Sequence, residues 1–128
     1  MSKKKTNGLS VVETFIGANS IIKGSIQTKN SVRIDGNIEG NIVEADGVIV
    51  GEKASIKGDI NARIVVIGGK VTGNISAIHN IEILSKAEVR GDMRSSVLSI
   101  AEGAIIEGSC VALSDDNKVI ELDVESVK

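Results

Sequence analysis

Apolar and polar residues alternate along most of this chain in short runs, as in β-strands whose two sides differ in exposure. A recurring unit punctuates the alternation: a Gly, then a small polar residue, then an apolar one. The six copies begin at Gly24, Gly40, Gly58, Gly73, Gly91 and Gly108, with spacings of 16, 18, 15, 18 and 17 residues. This period is shorter than the ~20 or more residues of leucine-rich repeats and favours one coil of a β-helix.

Residues at the same offset from each repeated Gly are chemically alike. Residues two positions apart lie on the same side of a strand. The residues two positions before each Gly predict an inward ladder of Ile22, Ile38, Ile56, Val71, Val89 and Ile106. The residues two positions after each Gly predict a second inward ladder of Ile26, Ile42, Ile60, Ile75, Met93 and Cys110. The residues directly before the Gly should face solvent in the order Lys23, Glu39, Lys57, Thr72, Arg90 and Glu107. Like charges do not meet in that order, so the column favours this register.

A further apolar pair in each coil predicts another inward wall. Its expected members are Val32/Ile34, Val48/Val50, Ile64/Val66, Ile81/Ile83 and Val97/Ser99. The 15-residue spacing reverses the in–out parity after Gly58, and Gly68-Gly69 is the expected site of that shift. The prediction is an all-β, single-stranded parallel β-helix of about six coils over residues 14–113, roughly 30 Å long at ~4.8 Å per coil. Residues 1–13 and 114–128 are expected to be flexible tails.

The composition agrees with thin repeated layers and limits the functions to consider. The chain of 128 residues has no Pro, Trp or Tyr, a single Phe, and 14 Gly. A net charge of −2 argues against a general nucleic-acid binder. No apolar run approaches the ~20 residues of a membrane-spanning helix, and the N-terminus shows no apolar signal region. With Cys110 as its single cysteine, the chain is expected to be cytoplasmic.

Catalytic chemistry has few candidate residues here. A left-handed β-helix acyltransferase, whose coils also span ~18 residues, would need a His as general base, and His79 is the single one. His79 lies in a predicted turn with no insertion to form a substrate pocket. Cys110 falls on an inward ladder and is predicted to be a buried thiol. We therefore expect no enzyme activity and no cofactor, with an acyltransferase-like enzyme or a non-polymerising scaffold as the alternative.

Two stretches resemble the bactofilin family. Val32-Arg33-Ile34-Asp35-Gly36-Asn37-Ile38-Glu39-Gly40-Asn41-Ile42 is similar to that family's early core signature. Gly103-Ala104-Ile105-Ile106-Glu107-Gly108-Ser109-Cys110 is similar to its closing coil. The resemblance extends over nearly all of the predicted solenoid. Its specificity lies in the whole repeat and not in a single Gly-Asn-Ile unit.

Membership of that family would imply properties that the spacing does not show. The β-helix would be right-handed with three faces, and subunits would join head to head and tail to tail into non-polar filaments without nucleotide. Such filaments act in bacterial cell shape, polar organisation, division or motility, often with cell-wall peptidases as partners, and many members bind the membrane through a short N-terminal segment. Many also carry a Phe in the last coil, at about the position of Ile106 here.

A solenoid without capping helices should expose unpaired strand edges at its ends. The outward column three residues before the Gly is polar in the middle coils but Ile in the first and last. We therefore predict a polymer-end interface that contains Phe15, Ile16, Ile21, Ile22, Ile105 and Ile106. The alternative is that Ile21 and Ile105 pack under the adjacent tails, and that Phe15 covers the first coil.

Two further surfaces are candidates for contact. Ile49 and Val65 are expected to form an outward apolar stripe that joins filaments laterally, or else an ordinary surface pair. Lys3, Lys4 and Lys5 would attract anionic lipid at the inner face of the cytoplasmic membrane at ~1 kcal/mol each. Stable anchoring needs a second signal, which nearby apolar residues such as Leu9 would supply.

Overall fold

Every regular element of the described chain is a β-strand. The computed structural model describes residues 12–113 and 119–124. The strands are β1 (Val12–Ile16), β2 (Ile21–Lys23), β3 (Ile26–Gln27), β4 (Ser31–Ile34), β5 (Asn37–Glu39), β6 (Ile42–Val50), β7 (Ser55–Lys57), β8 (Ile60–Ile67), β9 (Lys70–Thr72), β10 (Ile75–Ile83), β11 (Glu88–Arg90), β12 (Met93–Ser95), β13 (Val97–Ile100), β14 (Ile105–Leu113) and β15 (Val119–Val124).

The strands wind into a solenoid with three faces, and strands β1 to β14 pair in parallel. Face one stacks β1, β4, the second halves of β6, β8 and β10, and then β13. Face two stacks β2, β5, β7, β9, β11 and the start of β14. Face three stacks β3, the first halves of β6, β8 and β10, β12 and the end of β14. The prediction of a parallel β-helix with about six coils is confirmed.

Both ladders that flank the repeated Gly are inside the solenoid, as predicted. Ile38, Ile56 and Ile106 are fully buried in face two, and Ile42, Ile60 and Cys110 are fully buried in face three. Ile22 and Ile26, in the first coil, are only partly buried because no coil of the described residues lies beneath them. Each ladder places like side chains against like at strand spacing, so a core of thin layers needs no large aromatic residue.

The corner between faces two and three depends on glycine. The six repeated glycines have φ values from +131° to +158°, which L-residues rarely adopt. A Cβ on any of the five later glycines would overlap the carbonyl oxygen of the glycine in the coil before it. The next residue completes the corner: the Asp59 N–H donates to Asn41 Oδ1 at 2.9 Å, and the Asn74 N–H donates to Asp59 Oδ1 at 3.0 Å.

The second apolar wall differs from the prediction by one residue in two coils. Val65/Ile67 and Leu98/Ile100 align with the inward pairs of the other coils, so Ile64/Val66 and Val97/Ser99 were wrong as aligned pairs. Ile64 is nevertheless fully buried, one residue before this wall and beside Gly47 and Asn80. All four residues of Ile64–Ile67 are apolar, and so are three of the four in Val97–Ile100. Alternation of apolar and polar residues therefore does not define the register of these runs.

The parity shift also lies elsewhere than predicted. From Ile60 to Ala62, β8 has one residue fewer than the paired part of β6. From Ala62 to Ile64, it has one residue fewer than the paired part of β10. The shift in parity therefore lies before face one. At the next corner, Gly68-Gly69 takes the place of the four residues Gly51–Ala54 of the coil before. The corner is shorter by two residues, so the in–out alternation of the strands is unchanged.

The C-terminal segment contains a strand where a flexible tail was expected. β15 pairs with β14 in antiparallel register, from Gly108 opposite Val124 to Leu113 opposite Val119. The alternation of Ile120, Leu122 and Val124 was the signal for this strand, but it falls outside the repeat that defined the solenoid.

The glycine corner makes a direct prediction about stability. Gly58→Ala should lower the free energy of unfolding by about 2–5 kcal/mol, because the new methyl overlaps the Gly40 carbonyl and the backbone stays at positive φ. Gly17→Ala is the control, since a Cβ there lies 3.9 Å from the Phe15 ring. Chemical denaturation measures both, and equal midpoints for the two variants would contradict the tight corner.

Candidate polymer interface

The N-terminal end of the solenoid is an open edge. Within the described residues, β1, β2 and β3 each have one neighbouring strand, which is β4, β5 and β6 respectively. Their other edges carry backbone N–H and C=O groups that a further strand would pair with. The whole end of this rod therefore offers the same bonding pattern that joins one coil to the next.

Gly24 marks the surface that a further coil would occupy. A Cβ built on the later repeated glycines points at the coil before them, whereas a Cβ on Gly24 meets nothing within 4 Å. Gly24 nevertheless has the same positive φ, +131°. The first coil is thus built like the inner ones, but among residues 12–113 and 119–124 no further coil lies beneath it.

The C-terminal end is partly covered. β15 lies along residues 108–113 of β14, so the edge of face three is occupied. In the described chain, β13 on face one pairs with β10, and residues 105–107 of β14 on face two pair with β11. The two ends of the solenoid are therefore different: three open edges at one, two open edges and a covered one at the other.

The predicted end residues lie in the terminal coils, but three of them are exposed and two are buried. Phe15, Ile21 and Ile105 are exposed by 62%, 63% and 38%. Ile16 and Ile106 are buried already in the single chain. Ile22 is partly exposed.

The outward column of face two has the order predicted for it. Ile21 is paired with Asn37, and Ile105 is paired with Glu88, so apolar residues occur where the column reaches each end. Phe15 points outward from face one beside Arg33 and does not cover the first coil. The role of these residues in an end contact stays a prediction.

The predicted lateral stripe needs a correction, because Val65 is fully buried. The register places Val66 beside Ile49 on the outside of face one, and both are partly exposed. Arg33 and Glu82 flank this pair along the same column. Arg33 is held by Asp35, with Nε–Oδ2 at 3.1 Å. The outward apolar stripe is therefore Ile49 and Val66, with a charged residue at each end.

A groove of about 700 Å³ runs along the solenoid where face three turns into face one. Its small residues are Ala45, Ala62, Ala77 and Ser95, which come from successive coils. Arg63 donates to Asp46 across the groove at 2.7 Å, and this hydrogen bond raises the pKa of Arg63.

Ile78 at the groove is 78% exposed, and the sequence interpretation did not single it out. It lies in the register shift between Ala77 and Asn80, where β10 has one residue more than β8. The longer spacing from Gly73 to Gly91 was the available signal.

The two residues considered for chemistry, His79 and Cys110, do not line the groove. His79 is exposed in β10 and does not line the groove beside it. Cys110 is buried as predicted; burial, and to a smaller extent Asp92, raises the pKa of its thiol and so lowers its thiolate content. Among residues 12–113 and 119–124, no three His, Cys, Asp or Glu side chains form a metal-binding group. The same residues include no helix long and apolar enough to cross a membrane.

Comparison with protein families decides what kind of solenoid this is. The bactofilin family, described as polymer-forming cytoskeletal, matches residues 14–111. The chain belongs to the bactofilin family. The match begins in β1 and ends within β14, so β15 lies beyond it. Neither a search of curated proteins nor a search of solved structures finds a match.

The corrected stripe of this bactofilin gives a test with a matched pair of variants. Val66→Ser should change the free energy of unfolding by less than ~0.5 kcal/mol and reduce any side-by-side bundling of filaments. Val65→Ser should cost roughly 2–3 kcal/mol, because it removes a buried apolar side chain and buries a hydroxyl. Denaturation measures the first quantity and electron microscopy the second. Similar stability losses in the two variants would contradict the register.

Proposed function

We propose that this bactofilin assembles end to end, without nucleotide, into non-polar filaments that scaffold cell-shape, polar or motility functions. The observation that supports it most is the N-terminal end, where three strands of one coil have free edges within the part of the chain that the structure describes, and apolar side chains flank them. In a non-polar filament the same end of a second subunit would pair with those edges in antiparallel register, so that strand hydrogen bonds join the two subunits. The chemistry that holds the coils together would then hold the filament together.

Assembly through strand edges needs no bound energy source. Backbone hydrogen bonds and the covering of the partly exposed Ile22 and Ile26 would both favour contact. Nucleotide hydrolysis is not needed to form such bonds. The polymer-forming description of the family supports self-assembly as such.

Cellular partners are a further part of the proposal. A filament of this kind would lie in the cytoplasm or on the inner face of the cytoplasmic membrane and position cell-wall peptidases or other shape proteins. Lys3, Lys4 and Lys5, the proposed lipid contacts, lie outside the described residues. No observation favours the acyltransferase-like alternative: His79 is exposed and lies apart from the lining of the groove.

Negative-stain electron microscopy of the purified full chain, without nucleotide and at ordinary salt, tests the proposal. Unbranched filaments are expected, with a subunit step of roughly 30 Å or a two-subunit repeat of roughly 60 Å from six coils per subunit. Dispersed particles at every salt and protein concentration would contradict it.

Gly24→Ala tests whether the N-terminal end is a contact. The methyl has space in the single subunit, so the solenoid should stay folded at a cost of about 1–3 kcal/mol from the positive φ. A second subunit packed at strand spacing against this end would have to accommodate the methyl, so filaments should shorten or disappear.

The control is again Gly17→Ala, which adds a methyl to the same coil in ordinary contact with Phe15. Circular dichroism establishes that both variants are folded, and sedimentation measures assembly. Filaments of normal length from folded Gly24→Ala protein would exclude a coil-on-coil contact at this end.

A further inference from the structure

β15 is the one described strand that runs against its neighbour; all the other pairings in the described chain are parallel. It covers residues 108–113 of β14, which would otherwise be the open edge of face three. The rest of this end, β13 and residues 105–107, has no such cover in the described chain. The last coil is therefore blocked on one face by a strand from its own chain.

The direction of β15 is informative about what it replaces. Two identical ends meet through a two-fold axis perpendicular to the solenoid. An axis normal to face three reverses strand direction, so β14 of one copy would meet β14 of the second copy antiparallel. Head-to-tail stacking would instead add a parallel strand. β15 thus occupies the position, in the orientation, of a two-fold-related copy of β14.

We propose that the edge of β14 from Gly108 to Leu113 is a docking surface for β14 of a second copy of this chain, and that β15 occupies it in the free subunit. This inference rests on the proposed end-to-end assembly and adds a regulation to it. Subunits would first pair at their open N-terminal ends. Growth into a filament would then require β15 to leave the C-terminal end.

The competition between the two strands has an expected concentration dependence. Only residues 114–118 separate β14 from β15, so β15 binds within the chain at an effective concentration on the order of mM. A second copy lacks that advantage but offers more contact. The same two-fold axis brings the free edge of β13 in one copy over residues 105–107 in the other, so all three faces would pair. The intact chain should therefore assemble above a threshold concentration.

A disulfide that holds β15 in place tests the proposal in the full chain. Val111 and Glu121 are directly opposed in the β14–β15 register. Opposed residues in antiparallel strands have Cα atoms ~4.5–5.5 Å apart, which suits a disulfide. The variant Val111→Cys/Glu121→Cys would be made with Cys110→Ala, so that the two new thiols are the only ones.

The oxidised variant should stop at dimers joined by their N-terminal ends, and its threshold concentration should rise at least tenfold. Reduction of the same sample should restore the assembly of the Cys110→Ala parent. Addition of Gly24→Ala to the oxidised variant should leave monomers, because both ends are then blocked. Analytical ultracentrifugation distinguishes monomer, dimer and polymer in each sample.

Full-length variants that weaken β15 provide the opposite change. Glu121→Pro and Leu122→Pro are adjacent, so one of the two removes an N–H that faces β14. That variant should assemble at a lower concentration than the parent. This comparison does not depend on disulfide formation.

The outcomes separate the two proposals. Equal assembly of the oxidised and reduced samples, or better assembly when oxidised, would overturn the role of β15 while the filament proposal stands. Unchanged or weaker assembly by both proline variants would overturn it too. A parent protein that forms no polymer at any concentration would overturn the filament proposal, and this inference with it.

Discussion

Backbone hydrogen bonds between successive coils hold this solenoid together, and they require each coil to lie at strand spacing on the one before. The corner between faces two and three shows how close that approach is. A Cβ on Gly40, Gly58 or Gly91 would overlap the backbone of the preceding coil. The Asn and Asp residues that follow the glycines then bond to the next coil's backbone, from Asn41 to Asp92. Side chains of the core can be plain Ile and Val because this backbone stack sets the geometry.

The same constraint leaves the ends of the rod unsatisfied. An inner coil has a neighbour on both sides, whereas the first coil has three strand edges with no partner among the described residues. Many solenoids place a polar or helical cap at such an end. Here Ile21 and Phe15 are exposed beside the edges, and Gly24 retains the space for another coil. A polymer is the simplest structure in which these groups find partners, which agrees with the polymer-forming family of the chain.

The sequence predicts those parts of the fold that repeat and fails where the repeat length changes. The two ladders and the charged column follow from a fixed offset to each Gly, and the structure confirms them through pairs such as Arg90 with Glu107. Val65 was placed outside because Ile64–Ile67 is apolar at every position, so only the pairing of whole coils reveals that the shift lies before Ile64.

β15 was missed for a different reason. Its antiparallel pairing depends on contact with β14 and not on the repeat, and an alternating stretch outside a periodic domain does not reveal its partner. The sequence pattern also did not show which side chains of the terminal coils are buried. Ile105 and Ile106 are adjacent and identical, yet one is exposed and the other buried because they lie on opposite sides of the strand.

The central claim is that the filament axis and the solenoid axis coincide. X-ray diffraction from aligned filaments measures this directly. Coils stacked along the filament predict a ~4.8 Å reflection on the meridian, parallel to the filament axis, from strands that run across it. A ~4.8 Å reflection on the equator would show that the solenoids lie across the filament and join by their flanks, and would contradict the account.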